Sequence, residues 1–256
     1  MNTGNAAFMP ADTDGLNYTT TPNQYVTVDS VKLAYRMIGN RSDAPALVLF
    51  QHFTGTMDDW DQALIEQLAI DRAVVVFENA GIGASEGQTP DSVATMARYA
   101  EGFLDALQLT GVDVLGFSLG GAVVQQVLAD RPELIRKAIL VGTGPKGAEG
   151  FDNLPRLIGE KSKEGAELKV PLKALLFFTE TQEGRQAGLD FVKRINNHTV
   201  DPEPPATQEA IQAQAKAYQH IPNAQLSLYP DSGHGSLFQH SKLFVSQVNT
   251  FLDGLR

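Results

Sequence analysis

Along the chain, short runs of aliphatic and β-branched residues alternate with longer stretches whose apolar positions recur at helical spacing. Runs of the first kind cover Gln24–Val28, Val31–Met37, Ala46–Phe50, Ala73–Phe77, Val112–Phe117, Lys137–Gly142 and Gln225–Tyr229, and predict seven strands. Helical spacing predicts helices over Asp58–Ile70, Asp91–Leu107, Leu119–Asp130 and Leu237–Leu255. Strands separated by helices need crossover connections, so the expected class is α/β, with a mostly parallel sheet buried on both faces. Only Asp29 and Ser30 separate the first two strands. A two-residue link cannot hold a crossover, which makes that pair an antiparallel hairpin.

Between residues 148 and 222 the pattern changes. No strand is predicted there before the last one, and helical stretches succeed one another over Leu168–Thr179, Arg185–Asn196 and Gln208–Tyr218. The expectation is a single domain over 1–256 with a helical cap, 148–222, inserted in it. Three prolines in Asp201–Pro205 forbid helix continuation, so the cap is expected to bend at that point.

Charge and composition act mainly by exclusion. Twenty basic residues against thirty acidic ones give a formal charge of −10, with no Lys/Arg run to neutralise phosphates. Nucleic acid is therefore not an expected partner. The absence of cysteine rules out disulfides, thiolate metal sites and cysteine nucleophiles. Met1–Thr20 lacks the basic and apolar regions of a secretory signal, and the expected location is the cytoplasm. The longest apolar runs, Ala73–Phe77 and Ala174–Phe178, fall far short of the roughly 20 residues needed to cross a bilayer.

Leu115-Gly116-Phe117-Ser118-Leu119-Gly120-Gly121 carries the sharpest chemical signal, because it joins an apolar strand to a well-patterned helix. A Gly-x-Ser-x-Gly sequence in that setting is the pattern of a nucleophile elbow, in which the serine takes strained backbone angles and flanking side chains would collide. The helix that follows points free amide groups and the positive end of its dipole at a developing oxyanion. Serine is also a good helix N-cap, so a plain capping turn is the alternative. Asp231-Ser232-Gly233-His234-Gly235 follows the last predicted strand, where flanking glycines free His234 to act as base and acid towards Ser118.

Two further segments complete the pattern: Gln51-His52-Phe53-Thr54-Gly55 after the third strand, and Glu78-Asn79-Ala80-Gly81-Ile82-Gly83-Ala84-Ser85 after the fourth. Together the four segments resemble the α/β-hydrolase fold family, in particular its serine esterase and cofactor-free haloperoxidase-like branch. The likeness runs from the first hairpin to the last helix. It implies Ser118 as nucleophile, His234 as general base, the Phe53 and Leu119 amides as the oxyanion hole, and no metal or cofactor. In that branch the same machinery also perhydrolyses acids with peroxide. Gln51 and His52 stand where the family has His and Gly; His52 is expected to be structural or pocket-lining. His198, His220 and His240 are expected to be surface or cap residues.

The acid of the triad is missing from its usual place. The family carries it on a strand before the last one, and the corresponding window, Pro204–Glu209, holds prolines and a helix start. Ahead of any substitute stands the absence of a carboxylate partner, with a water or a backbone carbonyl holding the ring; Glu149 is the first substitute, with Asp201 and Asp231 behind it. Phe117, Phe177 and Phe178 are candidate walls of an apolar pocket suited to a small ester, although the pair Phe177 and Phe178 also reads as cap core. The rival expectation is a nearly inactive relative that binds an apolar ligand or a protein partner. The loss of a strand also leaves pairing with another chain through an exposed sheet edge open. Gly142-Thr143-Gly144-Pro145-Lys146-Gly147 matches a dinucleotide pattern formally, but Pro145 and the charged continuation open no apolar helix.

Overall fold

Asp29 and Ser30 both adopt left-handed backbone angles, φ 49° and 68°, as a two-residue hairpin turn requires. They join β1 (Gln24–Val28) to β2 (Val31–Ile38), antiparallel, with Val28 opposite Val31. The computed structural model describes residues 17–39, 44–144, 154–217 and 233–253. Its remaining strands are β3 (Leu47–Phe50), β4 (Val74–Phe77), β5 (Val112–Phe117) and β6 (Ile135–Val141). Among the described residues they form one sheet in the order β1-β2-β4-β3-β5-β6. β2 runs antiparallel to β4, and β4, β3, β5 and β6 are parallel to one another. The seventh expected strand, Gln225–Tyr229, lies outside the described residues, as do Glu149, His220 and Asp231.

β3 and β4 are buried at every position, because both sheet faces are covered. On one face α2 (Val93–Ala106) and α3 (Leu119–Asp130) bring Phe103, Val124 and Val127 against Val48, Val75 and Val114. On the other, α1 (Gln62–Leu68) and α9 (Ser241–Asp253) bring Leu64 and Val248 against Leu49, Val74 and Leu115. The helix expected over Asp58–Ile70 is shorter than the pattern predicts, because Asp61 caps α1 through the Ala63 amide. The one expected over Leu237–Leu255 is split at His240 into α8 (Ser236–Gln239) and α9.

Among the described residues β6 is followed by α4 (Leu154–Leu168), α5 (Leu172–Phe177), α6 (Gln182–Ile195) and α7 (Gln208–Ala217), ahead of α8 and α9. α4 was not among the expected helices: its apolar positions are sparse among lysines and glutamates, so the periodic signal is weak. The helix expected from Leu168 instead starts at Leu172, since Lys169 turns left-handed at φ 55° and Pro171 has no N–H to continue the α4 ladder. Phe177, Phe178, Phe191 and Ile195 pack with Leu237 and Phe238, so this segment shares the core of the second sheet face. Arg194 of α6 clasps the Asp61 carboxylate with two bonds of 2.8 Å. The stretch between α6 and α7 is non-helical, as its prolines predict.

The far end of the sheet is fastened by charge. Asp113, buried at the start of β5, receives two hydrogen bonds from Arg136, at 2.9 and 2.6 Å, and lies 3.8 Å from Arg72. Arg136 also reaches the Leu252 carbonyl and Arg72 reaches Asp253, so the C-terminal turn of α9 is held to β5 and β6. Among the described residues, removing Asp113 leaves the buried Arg72 with the Asp253 carboxylate alone and takes the carboxylate partner from the partly exposed Arg136. Asp113→Ala is expected to lower unfolding stability by about 3–5 kcal/mol, checked by urea denaturation against Asp105→Ala, whose exposed pair with Arg131 should change it by less than about 1 kcal/mol.

Candidate active site

The junction between β5 and α3 leaves no space for side chains two residues to either side of Ser118. A Cβ on Gly116 would stand 2.6 Å from the Gly121 Cα, and one on Gly120 would stand 2.1 Å from the Phe50 carbonyl oxygen. Ser118 itself has φ 54° and ψ −115°, a conformation that costs a non-glycine residue about 1–3 kcal/mol. Its N–H donates to the Val141 carbonyl at 2.8 Å, which pins the turn to the end of β6. Leu119 is the first residue of α3, where backbone N–H groups have no intrahelical acceptor.

His234 lies beside the same strand end. A Cβ on Gly142, the residue after Val141, would come within 3.0 Å of His234 Cε1 and 3.2 Å of Nδ1. The ring centroid stands 5.1 Å from that of Phe117 and 5.9 Å from that of Phe177, and the backbone N–H donates to the Leu176 carbonyl at 3.2 Å. The histidine is thus placed by β6 on one side and by α5 on the other. Burial in this apolar setting lowers its pKa to about 4. Among the described residues no charged group contributes to that shift.

Although His52 replaces a glycine of the expected pattern, the loop after β3 is well ordered by its own side chains. His52 does not need a left-handed conformation; Thr54 takes it instead, at φ 62°. Gln51 accepts from the His52 N–H at 2.8 Å and donates to the Thr56 carbonyl at 2.9 Å, and the Thr54 N–H reaches Gln214 of α7 at 2.7 Å. The Phe53 carbonyl accepts from His52 Nδ1 at 2.7 Å, so that nitrogen carries the proton. The His52 ring is fully buried edge-on between Phe117 and Phe177. Its pKa is lowered to about 4, first by burial, with nearby Lys173 adding to the effect and Asp59 opposing it.

A cavity of about 40 Å³ lies at the elbow, lined by Gln51, His52, Asn79, Leu119, Gly120 and Gln214 among others. Phe117, Phe177 and Phe178 do not line it. Phe117 is fully buried behind the elbow among Trp60, His52, His234 and Phe238. Phe177 lies in the same aromatic cluster, and Phe178 packs on Phe191 and lines a separate hollow of about 110 Å³ with Leu175 and Leu189. Asp201 does not approach His234: its carboxylate accepts from the Asn23 N–H at 3.1 Å, at the entry to β1. His198 belongs to the helical segment as expected, but its ring is buried against Arg36 and Asp58 instead of facing solvent. Sequence reasoning missed this polar cluster, because its members come from distant parts of the chain. Among the described residues no group of His, Asp or Glu is arranged to hold a metal ion, and no helix is long and apolar enough to cross a membrane.

Comparison with known proteins points the same way. The family model described as alpha/beta hydrolase fold matches residues 45–182. An alpha/beta hydrolase fold protein from Chitinophaga pinensis superposes with a TM-score of 0.83 and 34% identity, over 93% of this chain and 100% of that one. The 2-hydroxymuconate semialdehyde hydrolase of Pseudomonas putida is 26% identical over 219 residues, 71% of this chain and 77% of that protein. The dihydrolipoyllysine-residue acetyltransferase component of the acetoin cleaving system from Cupriavidus necator is 29% identical over 194 residues, 74% of this chain and 50% of that protein. The chain spans about half the length of the first curated relatives it matches.

The two buried imidazoles set the pH behaviour of the site. Each has a folded pKa near 4 against the ordinary histidine value of 6.5, so the unfolded chain takes up protons first as pH falls. Their contribution to stability is complete above about pH 6.5 and is lost as pH falls towards 4. A histidine-selective NMR titration is expected to find both rings neutral at pH 6; midpoints near 6.5 would contradict the packing described.

Proposed function

The chain belongs to the α/β hydrolase fold family, and from that premise we propose that it is a serine hydrolase of small carboxylic esters. Ser118 Oγ attacks the ester carbonyl, His234 takes the serine proton and passes it to the leaving alcohol, and an acyl-enzyme forms. Water, activated by the same imidazole, then releases the acid and restores Ser118. The Phe53 and Leu119 amides receive the oxyanion at each step. The observation that carries this reading is the backbone of Ser118: a strained non-glycine residue persists only where the surroundings over-determine it, and such strain clusters at reactive sites.

The remaining features fit that chemistry. Phe50, Phe77, Ile82 and Val123 give the cavity at the elbow an apolar wall suited to an acyl group. The helical segment acts as a cap beside this cavity, with Gln214 on the cap side. The neutral His234 is already in the form a base requires at pH 7. The absence of cysteine fits work in a reducing cytoplasm, where we place the protein. The Pseudomonas putida relative bears the name of a hydrolase, which supports hydrolysis as the outcome.

One observation favours a second reading. Among the described residues no carboxylate acts on His234, and loss of the triad acid costs about 10⁴-fold in turnover in characterised serine proteases. On that reading the chain binds an apolar ligand or a protein partner with little or no turnover.

Incubation with a fluorophosphonate followed by intact-mass spectrometry is expected to add one label per chain, and Ser118→Ala to remove it. Absence of label on the folded native chain selects the second reading. On an ester panel Ser118→Ala is expected to lower kcat by roughly 10⁶-fold. Variants Glu149→Gln and Asp231→Asn identify the acid: the one that orients His234 lowers kcat by about 10⁴-fold.

A further inference from the structure

The connection between α6 and α7 enters the protein through charge. Glu203, whose side chain is fully buried, accepts from Asn23 Nδ2 at 2.6 Å and pairs with the buried Arg36 at 3.1 Å. Its other oxygen accepts from the Ala84 N–H at 2.7 Å, and its own N–H donates to Asp58 at 2.8 Å. The same Ala84 N–H lies 2.8 Å from Oε2 of Glu78, whose Oε1 accepts from the Met57 N–H at 2.9 Å. Two carboxyl groups therefore converge on one amide hydrogen inside the protein, and a proton on one of them relieves their mutual repulsion.

Among the described residues the groups facing this pair supply no second cation for it. β2 contributes Arg36, whose other bonds go to Asp58, His198, Asn23 and the Asp201 carbonyl. The turn Met57–Asp59 contributes Asp58, and the turn Tyr18–Thr20 contributes Tyr18, whose hydroxyl burial keeps neutral. The connection itself supplies His198, which burial holds on the neutral side, and Asp201 at the exposed rim. One guanidinium thus faces three buried or half-buried carboxyl groups. Burial, and then the charge of Glu203, push the Glu78 carboxyl well above the ordinary range.

We propose that Glu78 and Glu203 share one proton, and that this proton latches the α6–α7 connection, and with it the helical segment, onto the sheet beside the elbow. When the proton leaves to solvent, two adjacent carboxylates share one amide hydrogen and repel each other, and the connection lets go on the alkaline side. The release reaches the candidate site directly. Asn79, next to Glu78, lines the elbow cavity; Met57, which Glu78 holds, follows the Gln51–Thr56 loop; and Gln214, which holds Thr54, is carried on α7. A raised carboxyl pKa means that the latch is complete at low pH and is lost as pH rises through the folded value.

Hydrogen exchange at the Glu203 amide tests the latch without recourse to catalysis. After correction for the intrinsic rate, protection in the full chain is expected to fall with rising pH, by at most about tenfold per unit, the limit for one linked proton. In Glu78→Gln the amide side chain donates to Glu203 and has nothing to lose, so protection is expected to stay level. Glu203→Gln, whose amide donates to the Glu78 carboxylate, is the second variant and is expected to behave alike. Level protection in the native chain, or an unchanged slope in the variants, overturns the proposal. The Ser118→Ala chain is expected to keep the native slope, so the latch and the hydrolytic reading fail separately.

Discussion

Helix α3 approaches the sheet so closely that the residues two positions to either side of Ser118, Gly116 and Gly120, have no room for a Cβ. The Phe50 carbonyl and the Gly121 backbone occupy the volume where side chains at 120 and 116 would stand. The chain can bring the helix this near only by reversing direction over one residue, and that residue pays in backbone strain. Much else follows from the contact. The serine is lifted to the end of the parallel strands, the first amides of α3 are turned towards it, and the loop after β3 is brought alongside as the other wall of the cavity.

Around that junction the site is buried and aromatic. Phe117, Phe177 and Phe238 enclose His52 and His234, and the desolvation that lowers both imidazole pKa values comes from this packing. One environment serves two ends. It keeps His234 neutral, as a base must be, and it joins α5, α6 and α8 to the same core as the sheet. The helical segment is therefore held in part by the contacts that tune the site.

Buried charge supplies the other fastenings, and each lies where two parts of the chain meet. Arg194 with Asp61 ties α6 to α1, Asp113 with Arg136 and Arg72 ties α9 to the strand starts, and Arg36 with Asp58 and Glu203 ties the α6–α7 connection to β2. Such pairs add little net stability, because desolvation offsets most of their attraction. Their effect is on geometry: an element shifted from its place leaves a charge unpaired inside the protein.

What could be read without coordinates was local. The hairpin at Asp29-Ser30, the elbow around Ser118, the six described strands and the break at Pro202–Pro205 each depend on spacing and backbone chemistry within a few residues, and each is where the pattern places it. α4 leaves little periodic trace because few of its positions are apolar, and α5 starts later than its apolar spacing predicts because Pro171 cannot continue the α4 ladder. The burial of His198, the replacement of a family glycine by His52 without left-handed backbone, and the meeting of Glu78 with Glu203 could not be seen in the same way. Each depends on which distant segments pack together. Side-chain periodicity states that a face is buried, but only the sheet register and the helix docking state against what, and buried polar groups take their chemistry from that neighbour.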